Sequence, residues 1–146
     1  MTQTNLEIAG SARFFSSLLS DVQTSLAEGA SIPFELSILG TIMRHASILG
    51  CYVCGRPTFG RLRPVEKIVD LWGLDEIIKQ SFPALYRYRI WSEGRSNSPA
   101  DASLENALCW CARADRVLTE LEGRVNDYER TLPKTACSRE RIGQLQ

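Results

Sequence analysis

PFELSILGTIMRHASILGCYV, residues 33–53, is the stretch on which the architecture turns. Its opening proline suits the first turn of a helix, where a missing N–H deprives no intrahelical carbonyl, and Glu35 stands where the helix dipole favours a negative charge. Phe34, Leu36, Ile38, Leu39, Ile42, Met43, Ala46, Ile48, Leu49 and Val53 then point to nearly every side at about 100° per residue. A surface helix keeps one polar face. A helix that is apolar all round has neighbours all round. Residues 33–53 are therefore predicted to be the central helix of a bundle.

Working outward toward the N-terminus, Phe15, Leu18, Leu19, Val22 and Leu26 recur at helical spacing and predict an amphipathic helix over residues 11–27, with Gly29 as its stop. Residues 1–10 read as loose, with Leu6 and Ile8 as possible anchors. Toward the C-terminus, Cys51 to Gly55 close the central helix and a Gly/Pro-rich connector runs to Pro64. Pro64 and Glu66 open the next helix, which places Val65, Ile68, Val69 and Trp72 on one side. Gly73 interrupts it, and Asp75 caps a continuation carrying Leu74, Ile77 and Ile78. Proline is a poor interior helix residue, so a kink or a fresh start is expected at Pro83, with Ser81 as the cap.

After the polar loop SEGRSNSPA, residues 92–100, the residues Ser98, Pro99 and Asp101 signal the start of a last helix. Leu104, Ala107, Cys111, Ala114, Leu118, Leu121, Val125, Tyr128 and Leu132 follow in steps of three and four, and Pro133 ends the run. No segment alternates long enough to make a strand. The expected fold is thus all-α, a compact bundle of four to five helices with a long amphipathic C-terminal helix. It forms a single domain over residues 1–133, with residues 134–146 as a flexible tail. The apolar seam of the last helix is longer than a core of this size needs, so Leu121, Val125, Tyr128 and Leu132 are the expected self-association surface of a homo-oligomer.

Bulk properties narrow the function classes. With 44% hydrophobic residues, 146 residues can bury a core without a disulfide or metal. Seventeen basic and seventeen acidic side chains cancel, so any nucleic-acid contact must come from a local patch and not from net charge. Residues 1–10 lack the basic start of a signal peptide, and no apolar run approaches a membrane span of about 18 residues. The expectation is a cytoplasmic protein with no membrane partner, whose five cysteines are thiols.

Several chemistries lack the residues they need. Cys51 and Cys54 have C-x-x-C spacing, but the other close pair, Cys109 and Cys111, lies two positions apart on a helix. Its thiols diverge by about 200°, so the two pairs do not form a tetrahedral zinc site. A thioredoxin-like motif would follow a strand, whereas this one follows a helix. His45 is the only histidine and stands in the most apolar helix with no evident nucleophile partner. GRPTFGRLR, residues 55–63, lacks the spacing and the Lys-Ser/Thr ending of a phosphate loop. No catalytic residue, metal ligand or cofactor is assigned.

What remains is arginine, fourteen residues against three lysines. Arg56, Arg61 and Arg63 lie in the connector, and Arg87, Arg89 and Arg95 interleave with Tyr86, Tyr88 and Trp91. Cations beside aromatic rings suit single-stranded nucleic acid, with charge for the phosphates and rings for the bases. They equally suit a protein interface, which is rich in Arg, Tyr and Trp. The bland alternative is a helix end whose rings fill the core while the arginines pair with Glu66, Asp70 or Glu93. The first expectation is a nucleic-acid-binding, self-associating protein, RNA or single strand favoured. Its rival is a protein-interaction module that meets an acidic partner through the same surface.

Overall fold

The computed structural model describes residues 5–131, apart from Ser98, Asp101 and the side chains of residues 5–7. Five helices follow one another: α1 (Asn5–Ala27), α2 (Ile32–Val53), α3 (Arg63–Trp72), α4 (Glu76–Ser92) and α5 (Leu104–Thr131). There is no strand among the described residues, so the fold is all-α as expected, with the long helix last.

The central position of α2 follows from its sequence. It packs against each of the other four helices, while α1 also lies on α5 and α3 on α4. Leu36, Leu39, Ile42, Met43 and Ala46 are almost completely withdrawn from solvent, and burial of each large side chain is worth about 1.5–3 kcal/mol. In length and composition α2 would also suit a membrane span, with 22 residues and a mean hydropathy of 1.3. Here 61% of that window is covered by its neighbours.

Two glycines let those neighbours come close. At Gly40 a Cβ would stand 3.6 Å from the Leu85 carbonyl oxygen and 3.8 Å from the Tyr86 Cα, so the backbone of α4 lies against α2 there. At Gly50 a Cβ would stand 2.5 Å from Cη2 and 2.7 Å from Cζ2 of Trp72, closer than real side chains approach. The Trp72 indole therefore occupies the space a side chain would fill. Its Nε1–H donates to the Cys54 Sγ at 3.3 Å, so the ring is buried without an orphaned donor. The Cys51 thiol, fully buried, points at the Pro64 carbonyl oxygen at 3.8 Å. Both cysteines of the C-x-x-C pair thus hold the end of α2 to the start and end of α3.

The helix ends are set locally. Gly55 and Gly73 take positive φ values of 72° and 62°, which stop α2 and α3 at a conformation that costs other residues more. The Asp75 carboxylate accepts from the Ile77 N–H at 3.1 Å and caps α4. At the start of α5 the capping oxygen belongs to Ser103, which accepts from the Asn106 N–H at 3.0 Å. The helix therefore begins a turn later than Ser98 and Asp101 suggested, and those two residues lie outside the described set.

Two other boundaries differ from expectation. α1 begins at Asn5, and Ile8, expected in a loose segment, is fully buried. Pro83 neither ends nor restarts α4, which runs continuously through it. Pro83 is exposed, so its ring stands on the side of α4 away from the core. Ser81 is no cap, because its hydroxyl donates back to the Ile77 carbonyl within the same helix.

The glycines make opposite predictions. Alanine in place of Gly50 is expected to destabilise the protein by about 1–3 kcal/mol in urea unfolding, because Trp72 must move. Alanine in place of Gly123, which is exposed in α5 with nothing near its missing Cβ, is expected to add up to about 1 kcal/mol. Equal gains from both would show that Trp72 does not occupy the Gly50 face.

Candidate binding surfaces

The predicted binding residues divide between separate places. Arg87 and Arg89 are two positions apart on a helix and so face opposite ways. Arg87 is exposed and lines a cleft between α4 and α5. Arg89 lies on the side of α2, pairs with Glu93 at 3.4 Å, and is near enough to His45 to act on its charge. Arg95 also approaches Glu93, at 4.0 Å. Tyr86 and Tyr88 are 8% and 2% exposed. Tyr86 packs on Phe82 with ring centroids 5.8 Å apart, and the Tyr88 hydroxyl donates to the Ala100 carbonyl. Both rings belong to the core, which corrects their expected role as an open stacking platform. Trp91 is half-buried.

The expectation for the C-terminal part of α5 is corrected in the same way. Leu121 and Val125 are 0% and 2% exposed, and Tyr128 is half-buried with its ring centroid 6.2 Å from that of Tyr52. The packing of α1 on α5 accounts for this: Ser11 and Phe15 lie near Tyr52 at the end of α2, and the Tyr52 ring meets that of Tyr128, so the seam already has partners within the domain. Ser16 Oγ donates to Glu122 Oε1 at 3.0 Å across that contact. Leu132 lies outside the described residues, as does the tail at 134–146.

The connector is better placed for binding. Arg44 Nε donates to the Gly60 carbonyl at 2.8 Å, which fastens the connector onto α2. Arg44 Nη1 stands 3.5 Å from the Nε2 of His45, and Arg61 and Arg63 are exposed beside it in the chain. From Leu36 to Val65 the sequence holds four arginines and its only histidine but no carboxylate. Next to this basic edge is an apolar groove of about 350 Å³, lined by Phe15, Ile48, Leu49, Tyr52, Pro57 and Phe59, with Ser11 and His45 at its margins. Phe59 is 70% exposed, and Phe14, whose ring adjoins that of Phe15, is 59% exposed. Arg56 turns elsewhere, toward Trp72, Arg124 and Tyr128.

Sequence reading missed Arg44, His45 and Phe59 as members of one surface. The signal was available in the thirty-residue run without a carboxylate. Arg113 was also missed, although it stands three residues after Trp110, the spacing at which helix side chains meet. Among the described residues no group of three His, Cys, Asp or Glu side chains converges as a metal site would. No protein-family model, curated protein or solved structure matches this chain.

His45 reports on this surface. Partial burial, then the charges of Arg44 and Arg89, push its pKa below the ordinary 6.5. Protonation therefore opposes folding: the contribution of the neutral ring is present above the unfolded value and is lost as pH falls through the folded one. With a single histidine, its Cε1–H proton resonance can be followed directly. The midpoint is expected below 6.5 and should rise when Arg89 is replaced by glutamine. A midpoint at 6.5 that ignores Arg89 would separate His45 from the basic surface.

Proposed function

We propose that this chain is a protein-interaction module whose connector face receives an acidic, amphipathic segment of another protein. The observation that carries the reading is the exposed Phe59 beside an apolar groove with no carboxylate among its residues, where Arg44 binds the Gly60 carbonyl next to Phe59 and Arg61 follows, exposed, in the chain. An apolar side chain of the partner would fill the groove, and acidic residues flanking it would meet the guanidinium groups, which bind carboxylates in forked pairs. Charge also argues for a foreign partner. A two-fold dimer through this face would set its arginines against their own copies. The nucleic-acid alternative keeps exposed arginines but loses Tyr86 and Tyr88 as stacking rings.

Selection of short displayed peptides on the folded protein tests this. The expected consensus has one or two large apolar residues flanked by Asp or Glu. Its binding should fall about tenfold or more on Phe59→Ser and on Arg61→Glu. Both positions are exposed, so unfolding stability should change by no more than about 0.5 kcal/mol. A consensus without acidic residues, or binding indifferent to both variants, would overturn the reading. So would purified protein whose 260 nm absorbance falls on nuclease treatment, which would favour the nucleic-acid alternative.

A further inference from the structure

α4 and α5 both rest on α2, yet their backbones come together far less closely than the other neighbouring pairs. At one end α4 meets α5 directly, where Phe82 and Trp110 lie edge to face at 6.5 Å and Arg113 Nη1 donates to Ser81 Oγ at 3.2 Å. At the other end the bridge runs from α4 to the loop before α5, where the Tyr88 hydroxyl reaches the Ala100 carbonyl. Between the bridges the cleft encloses about 860 Å³, within the range of small-molecule sites. Leu85, Tyr88 and Trp110, each no more than 2% exposed, make its floor.

Two guanidinium groups line this cleft. Arg113 is half-buried and held with its Cζ 4.7 Å from the centroid of the Trp110 ring, a cation–π contact that fixes its plane. Only one of its nitrogens is engaged by Ser81, and it forms no ion pair among the described residues. Arg87, from the facing helix, likewise forms none among them. Most other arginines of the helices are paired: Arg89, Arg116, Arg124 and Arg130 each have a carboxylate within 4.0 Å. The cleft therefore offers two forked donors that have no carboxylate partner among the described residues, one of them already immobilised, above an apolar floor and beside the hydroxyls of Ser81 and Ser103. Glu105 also lines it and disfavours a highly charged polyanion.

We infer that the α4–α5 cleft is a binding site for a small organic oxyanion, a carboxylate or a phosphate ester of low charge. Arg87 and Arg113 grip the oxyanion from opposite helices, and the apolar body of the ligand lies over Leu85 and Tyr88. This site is independent of the connector face. Closing Arg87 and Arg113 on one anion joins two helices that otherwise meet only through single side chains, so occupancy should also raise the melting temperature.

Titration of the whole protein with benzoate and, separately, with phenyl phosphate at constant ionic strength tests the site by ¹H–¹⁵N spectroscopy. Benzoate supplies the carboxylate source and phenyl phosphate the phosphate-ester source, each with an apolar ring for the floor. At least one of them is expected to shift the amides of residues 81–90 and 103–113 saturably, in the millimolar range, together with the Arg87 and Arg113 Nε–H signals. Arg87→Gln should weaken that binding about tenfold. Arg113→Lys keeps the charge and loses the fork, so it should weaken binding in a protein that remains folded. Arg61→Gln should leave it unchanged. Shifts that never saturate with either probe, that map to Arg44 and Arg89, or that persist in Arg87→Gln would overturn the inference.

Discussion

The fold depends on one helix that is covered on most of its circumference. α2 is largely apolar, and α1, α3, α4 and α5 all rest on it, while His45, Ile48 and Tyr52 are left facing the groove beside the connector. Such packing requires that at least some neighbours approach its axis closely, and glycine is what allows that. At Gly50 the Trp72 ring takes the volume of the absent side chain, and at Gly40 the α4 backbone lies at van der Waals distance. α3 and α4 are short helices of 10 and 17 residues, and helices of that length hold their form through packing more than through propensity. Their position is therefore a consequence of where α2 is smooth.

This dependence explains what the surface can do. The connector between α2 and α3 is too rich in glycine and proline to be helical, and its course is set by Arg44 reaching back to Gly60, by the buried Cys51 thiol and by the half-buried Cys54 thiol. Phe59 is left on the outside with arginines around it. On the opposite flank α4 and α5 are each committed to α2 and so stand apart from one another, which opens the cleft that Arg87 and Arg113 share. The two surfaces differ in character. One is an apolar groove with a basic edge, suited to a segment of protein; the other is a walled cleft with two guanidinium groups, suited to a small anion.

Helix number, order and most ends were legible in the sequence because they follow from local chemistry. Pro33, Pro64 and Asp75 act within one turn of where they stand, and Gly55 and Gly73 fix their own backbone. Periodicity likewise identified the buried faces. What was not legible depends on neighbours that are distant in sequence. The α5 seam looked unpartnered because it is longer than a core of this size needs, and nothing local says that α1 lies beside Tyr52 at its far end. Tyr86 and Tyr88 looked like open rings, since a tyrosine beside arginines has the same sequence whether it faces water or Phe82. Pro83 was expected to bring a kink or a fresh start; α4 does not restart there, and Pro83 stands on its exposed side. The placement of the arginines was only half legible: the α4 pair splits to opposite faces, while Arg44 and Arg113 stand beside the connector and the cleft on elements that gave no sign of it.

Native-state hydrogen exchange tests the central position of α2 most directly. If every other helix is anchored on α2, the amides of residues 36–51 exchange only through global unfolding, with the highest protection in the chain. α3 and the ends of α1 and α5 should open at lower free energy without exposing α2. Amides of α2 that exchange through a local opening, while α5 remains protected at the global limit, would contradict the account.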